Sequence, residues 1–115
     1  MQGKIWGTTE ILLQTPFIEI HRLYIKPYSK CSIHMHKTKH NAFYVEEGKL
    51  IINVEKNDYK LTDRTELWSR DFTTVKPGEY HWFETEADDV LAIEIYYPEC
   101  LSEDIIRKTV GSSKE

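Results

Sequence analysis

The sequence predicts an all-β protein, a single barrel of two antiparallel sheets with little or no helix. Three observations predict it. Short runs of β-branched and aromatic residues recur along the chain. Clusters of Gly, Pro, Asn, Asp and charged residues separate them about every ten residues. No segment carries the apolar period of an amphipathic helix.

In chain order the runs predict strands over residues 17–25, 32–36, 41–46, 49–55, 59–61, 66–68, 72–75, 81–85 and 90–97. The breaks between them have local causes: Pro27-Tyr28-Ser29, Glu46-Glu47-Gly48-Lys49 closing a hairpin, Lys56-Asn57-Asp58, Pro77-Gly78 and Ala87-Asp88-Asp89. Strand alternation then assigns faces, with Phe43, Val45, Ile52, Phe83 and Ala92 inside and Lys37, Lys39 and Glu84 outside. Trp6, Trp68 and Trp82 fall on separate elements, as expected of residues that cover a barrel or a dimer interface.

The 115 residues suffice for one domain with one modest core. That core is expected over about residues 17–97, with a small, charged and flexible tail over 108–115. A net charge of −4, with lysines interleaved among acids, offers no basic stripe and argues against a nucleic-acid partner. No apolar run reaches the roughly 20 residues needed to cross a bilayer, and no signal-peptide core opens the chain, so a soluble, cytoplasmic protein without a membrane partner is expected. Cys31 and Cys100 are far apart and signal neither a disulfide framework nor a thiolate zinc site. If 32–36 is a regular strand, Cys31 lies on the face opposite His34 and His36.

Chemistry concentrates in the histidines. Three of the five, His34, His36 and His40, fall within seven residues. On a strand, His34 and His36 share a face. His81 opens a later strand after the Pro77-Gly78 turn and can meet that pair only if the two segments are neighbours. The same alternation presents Asn41, Phe43 and Val45 inward from one strand, and His81, Phe83 and Thr85 from another. On the last strand Val90, Ala92, Glu94 and Tyr96 share one face, so Glu94 is a carboxylate in apolar surroundings and a candidate functional group.

These residues and their spacing resemble the two short motifs of the cupin superfamily, G-x5-H-x-H-x(3,4)-E-x6-G and G-x5-P-x-G-x2-H-x3-N. Here the first falls on Tyr28, His34, His36, Asn41 and Gly48, and the second on Arg70, Lys76-Pro77-Gly78, His81 and Thr85. The histidines, Gly48 and Gly78 match in identity, whereas Tyr28, Asn41, Arg70, Lys76 and Thr85 depart from the pattern. A narrower likeness, to the mannose-6-phosphate isomerase type II cupins, sits in Lys4-Ile5-Trp6-Gly7, Tyr24-Ile25-Lys26-Pro27, Ile93-Glu94-Ile95 and Leu101-Ser102-Glu103-Asp104-Ile105-Ile106-Arg107.

The resemblance implies a single-domain cupin, a double-stranded β-helix or jelly-roll barrel. It implies one divalent ion (Zn, Fe, Mn or Ni) on His34, His36 and His81, with Asn41, or else His40, near the fourth position. It further implies a sugar or sugar-phosphate isomerase or epimerase, with Glu94 as general base and Arg107 as anion clamp. Two alternatives stay open: a non-catalytic module that binds a small polar metabolite, and a three-histidine Fe(II) dioxygenase. A homodimer is the expected assembly.

Overall fold

Alternating apolar residues drive the chain into strands that bury one face. The computed structural model describes residues 1–56, 61–98 and 106–113. Its described residues form nine strands and no helix: β1 (Gln2–Lys4), β2 (Gly7–Gln14), β3 (Glu19–Ile25), β4 (His40–Glu47), β5 (Leu50–Lys56), β6 (Leu61–Leu67), β7 (Phe72–Val75), β8 (His81–Thr85) and β9 (Val90–Tyr97). They make two antiparallel sheets, one ordered β1-β2-β3-β9-β4-β7 and the other β6-β5-β8. The core lies between them: Leu23, Phe43, Val45 and Ala92 from the larger sheet meet Ile52, Leu67 and Phe83 from the smaller. This is the two-sheet all-β barrel that the sequence predicts. Among the described residues no helix is long and apolar enough to cross a membrane.

The alternation holds in detail along β4, β8 and β9. Phe43, Val45, Ile52, Phe83 and Ala92 are buried, as are Asn41, His81, Thr85 and Glu94. Lys39 departs from it. Expected in solvent, it is half-buried, with Nζ 4.3 Å from the centre of the Tyr96 ring. Glu84 is half-buried too, and accepts a hydrogen bond from Asn53 Nδ2 at 2.9 Å.

Other differences have local causes. The sheet begins at residue 2 and not near residue 17, because β1 and β2 add to the edge of β3. The sequence hides β2: its register with β3 slips between Ile11 and Leu13, and Ile11, Leu12 and Leu13 are all exposed, so no alternation survives. Gly7 opens β2 where a Cβ would stand 1.8 Å from the Tyr24 carbonyl oxygen, a close approach only glycine permits. The two short runs expected at 59–61 and 66–68 are one strand, β6, exposed along nearly all its length; Tyr59 lies outside the described residues.

The expected strand over 32–36 is an irregular edge laid against β8. His34 and His81 exchange both backbone hydrogen bonds, at 3.1 and 2.8 Å, and a second bridge joins Lys30 to Glu84. Four steps from Lys30 to His34 oppose three from Glu84 to His81, so one extra residue bulges and the faces invert across it. Cys31 therefore lines the same cavity as His34, correcting the opposite-face expectation.

At positions 28, 48, 70 and 78, where the two-motif pattern carries glycine, the backbone is left-handed in every case. The φ values are 51° at Tyr28, 87° at Gly48, 75° at Arg70 and 84° at Gly78.

Candidate metal centre and its cavity

Three segments converge on one point. The irregular edge supplies His34 and His36, the start of β8 supplies His81, and β4 supplies Asn41. The Gly78 N–H donates to the His36 carbonyl at 2.8 Å, so the Pro77-Gly78 turn ties down the far end of that edge. One ring nitrogen from each of His34, His36 and His81 lies within 4.8 Å of the other two, a spacing that could hold a metal ion. The ring centres are 4.6 to 5.5 Å apart.

The hydrogen bonds settle which nitrogens face inward. His34 Nδ1 is 2.8 Å from the Ser32 carbonyl, and His81 Nδ1 is 3.0 Å from the Glu79 carbonyl. A carbonyl can only accept, so both Nδ1 atoms carry the proton, and the neutral rings keep an Nε2 lone pair. His36 Nε2 is buried with no hydrogen-bond partner among the described residues. Asn41 donates through Nδ2 to the Ile95 carbonyl at 3.3 Å, which turns its Oδ1 toward His81 Nε2, 3.2 Å away. Two lone pairs thus face each other in a buried place. A cation between them resolves the conflict, and so would a proton on His81 Nε2. Burial, with His34 alongside, holds His81 below the ordinary imidazole range, while burial and the neighbouring His34 and His81 push His36 down to about 4. The donor set is therefore neutral imidazole and amide oxygen, which suits a divalent ion.

The remaining sequence candidates separate around this point. His40 is next to Asn41 on β4, so it lies on the other face, where its ring stacks on Tyr97 at 5.1 Å; it is not among the three clustered histidines. Arg107 is exposed and does not line the cavity, and the closing segment that carried the narrower resemblance lies, over 101–105, outside the described residues. Glu94 is buried and lines a cavity of about 470 Å³ together with His34. Burial raises its carboxyl above the usual range, against the pull of hydrogen bonds from Tyr96 and Asn41.

The cavity also holds groups to which the sequence reading gave no part in a site: Trp6, Glu19, His21, Lys4, Lys39 and Tyr96. Trp6 meets Phe83 edge-on at 5.0 Å, so this tryptophan forms part of the wall. The Tyr96 ring stands 5.2 Å from His36, and burial beside Glu94 raises its hydroxyl pKa. A signal was present for three of them. Tyr96 shares the face of Glu94, and alternation back from Leu23 puts Glu19 and His21 on the inward side of β3. Cys31 is half-buried, with its thiol pushed up to about 11 by desolvation, and accepts a hydrogen bond from the Phe83 N–H at 3.2 Å. It is a protonated wall residue.

The sequence matches no protein-family model and no curated protein. The fold, however, recurs among solved structures. KdgF from Halomonas sp. superposes with a TM-score of 0.73 at 16% identity, over 87% of each chain. CapF, a capsular polysaccharide assembling protein from Staphylococcus aureus, gives 0.76 at 19% identity over 89% of this chain and 28% of its own. The cupin domain of Cnp3 from Schizosaccharomyces pombe gives 0.67 at 14% identity over 79% of this chain and 64% of that one. At these identities the likeness carries the fold alone: the chain has the double-stranded β-helix fold that these structures share.

Proposed function

We propose that this cupin binds a divalent metal and isomerises or epimerises a sugar or sugar phosphate in the cavity beside it. One observation carries the reading: the neutral donors of His34, His36, His81 and Asn41 converge at the edge of a cavity whose wall also holds the buried carboxyl of Glu94. Zn, Fe, Mn or Ni bound by those four residues would supply a Lewis acid that polarises a carbonyl or hydroxyl. Glu94 is assigned the carbon proton. Burial raises the proton affinity of its carboxyl, so that the ionised form is a stronger base than an exposed carboxylate. Lys4 and Lys39 line the cavity, and the anion contact with a phosphate is assigned to them.

The charged groups of the lining, Lys4, Glu19, Lys39 and Glu94, favour this reading over an Fe(II) dioxygenase with an apolar substrate. The description of CapF as a capsular polysaccharide assembling protein supports a carbohydrate ligand. The absence of a carboxylate ligand at Asn41 keeps a non-catalytic binding module as the second reading.

The test is elemental analysis of protein purified without a metal-affinity tag, followed by deuterium exchange in D2O. The metal-loaded protein should exchange the proton on the carbon next to the carbonyl of an aldose or ketose phosphate. Glu94→Gln should slow that exchange by about 100-fold or more at unchanged metal content. Metal at full occupancy with no exchange across the panel would leave the binding module in its place.

A further inference from the structure

The same cavity holds a second set of proton-bearing groups that the metal centre does not use. On β3, the His21 ring is gripped at both nitrogens: Nε2 lies 2.8 Å from Glu19 Oε2, and Nδ1 lies 3.2 Å from Thr9 Oγ1 on β2. In the sheet, His21 is the direct cross-strand partner of Glu94, and both line the cavity. Side chains so paired stand side by side on one face. The ring also meets Tyr96 edge-on at 5.9 Å. Further along the same face of β3, Leu23 and Ile25 are ordinary core residues, so the fold itself does not call for an imidazole and a carboxylate at 21 and 19.

The two contacts differ in kind. Ionised Glu19 is acceptor-only, so it fixes the proton on Nε2. The Thr9 hydroxyl can either donate or accept, so it serves Nδ1 in both protonation states and, at 3.2 Å, can give way to a substrate oxygen. Nδ1 is then the atom at which a proton moves. This is the arrangement of an oriented acid–base histidine.

Resting on the isomerase reading above, we propose that His21, oriented by Glu19, is a second catalytic residue of this cavity and moves a proton between substrate oxygens while Glu94 moves one between carbons. From an aldose, with Glu94 ionised and His21 carrying a proton on both nitrogens, Glu94 takes the proton from C2 as His21 Nδ1–H protonates the carbonyl oxygen O1, which gives the enediol and a neutral His21. His21 then takes the proton from the O2 hydroxyl as Glu94 returns its proton to C1, which gives the ketose. One proton has gone from C2 to C1 and one from O2 to O1, and both residues end as they began. Glu19 acts through His21 as a positioning residue.

The experiment uses the full-length, metal-loaded protein with glucose 6-phosphate, mannose 6-phosphate, fructose 6-phosphate and ribose 5-phosphate. It follows conversion and carbon-proton exchange in the wild type, His21→Gln and Glu19→Gln, with metal content measured in each. The His21 ring signal, identified by its loss in His21→Gln, is followed by NMR as each sugar phosphate is added. We expect His21→Gln to lose about 100-fold or more in conversion with its metal intact, and Glu19→Gln to lower kcat with little change in KM. The wild-type His21 ring signal should move with the sugar phosphate that is converted. Glu19 is at the partly exposed mouth, so its variant keeps the test open if His21→Gln fails to fold. Conversion by both variants at the wild-type rate, a ring signal that ignores a converted substrate, or loss of metal together with activity would each overturn the proposal while leaving the isomerase reading in place. A wild type that neither exchanges nor converts any of the four would overturn that reading and the proton transfer with it.

Discussion

Replacing Asn41 by Asp restores a carboxylate where the two-motif pattern carries Glu, and the geometry sets opposite outcomes with and without metal. Asn41 is 1% exposed. Its Nδ2 donates to the Ile95 carbonyl at 3.3 Å, and its Oδ1 stands 3.2 Å from His81 Nε2. Asp removes the donor and leaves the Ile95 carbonyl facing an oxygen, at a cost of about 1 to 3 kcal/mol. It also sets a second carboxyl beside Glu94, whose proton affinity burial has already raised and which loses the help of the Asn41 amide. The metal-free variant should therefore melt about 4 to 12 °C below the wild type, at roughly 4 °C per kcal/mol for a chain of this size. With a bound divalent ion the sign reverses, because a charged oxygen replaces a neutral one at the fourth donor, and each tenfold gain in affinity adds about 1.4 kcal/mol once the ion is in excess. Thermal melts after chelation and across a zinc titration measure both terms. The gap between metal-free and metal-loaded melting should be wider by about 5 °C or more in Asn41→Asp than in the wild type. An equal gap in the two proteins would refute the placing of Asn41 Oδ1 on the ion.

His36→Ala should sharply reduce metal occupancy, since two imidazoles and an amide oxygen make a poor site; an undiminished metal content would remove His36 from the ligand set. The pH dependence follows from the same ring. Its folded-state value of about 4 lies below the ordinary 6.5, so the unfolded chain takes up the proton first, and the metal-free protein should lose stability as pH falls from about 6.5 to about 4 and level off below that. Denaturant melts across that window should show the decline, and a flat profile would contradict a His36 held neutral by burial. The two left-handed turns should respond oppositely: Gly48→Ala forces a Cβ to 2.4 Å from the Asp89 carbonyl oxygen and should lower the melting temperature by several degrees, whereas Arg70→Gly relieves a φ of 75° and should raise it or leave it unchanged. A destabilising Arg70→Gly would mean that the arginine side chain holds that turn.

Most of the fold was legible because several of the buried strands are short and alternate, while β5 reads as a continuous buried run over Leu50 to Asn53. β4, β8 and β9 read as they fold, since each sets one apolar face on the core and a one-residue slip would turn that face outward. The elements that failed to read are those whose pattern no buried face enforces. β6 is exposed except at Leu67, and β2 presents three consecutive apolar residues to solvent across a register slip. The left-handed backbone at Tyr28 and Arg70 could not be read from residue type, because neither is glycine. Only the spacing to Gly48, Gly78 and the histidines pointed to it.

The site divides along the same line. Alternation brought His81, Asn41 and Glu94 inside correctly because each sits in a regular strand. His34 and His36 sit in an irregular edge, and there alternation misplaced Cys31: one bulged residue reverses the faces, and nothing in the run from Lys30 to His36 marks where the extra residue goes. His21 went unread for a different reason. Alternation back from Leu23 turns it inward, but a lone inward histidine carries no functional signal in sequence, and its significance comes only from pairings at long range, with Thr9 across β2 and Glu94 across β9. Spacing found His34, His36 and His81, whose ring nitrogens cluster closely enough to hold a metal ion, and also His40, which does not join them. His21, which it could not find, is placed by three strands meeting, so its pairing with Thr9 and Glu94 becomes visible only in the folded chain.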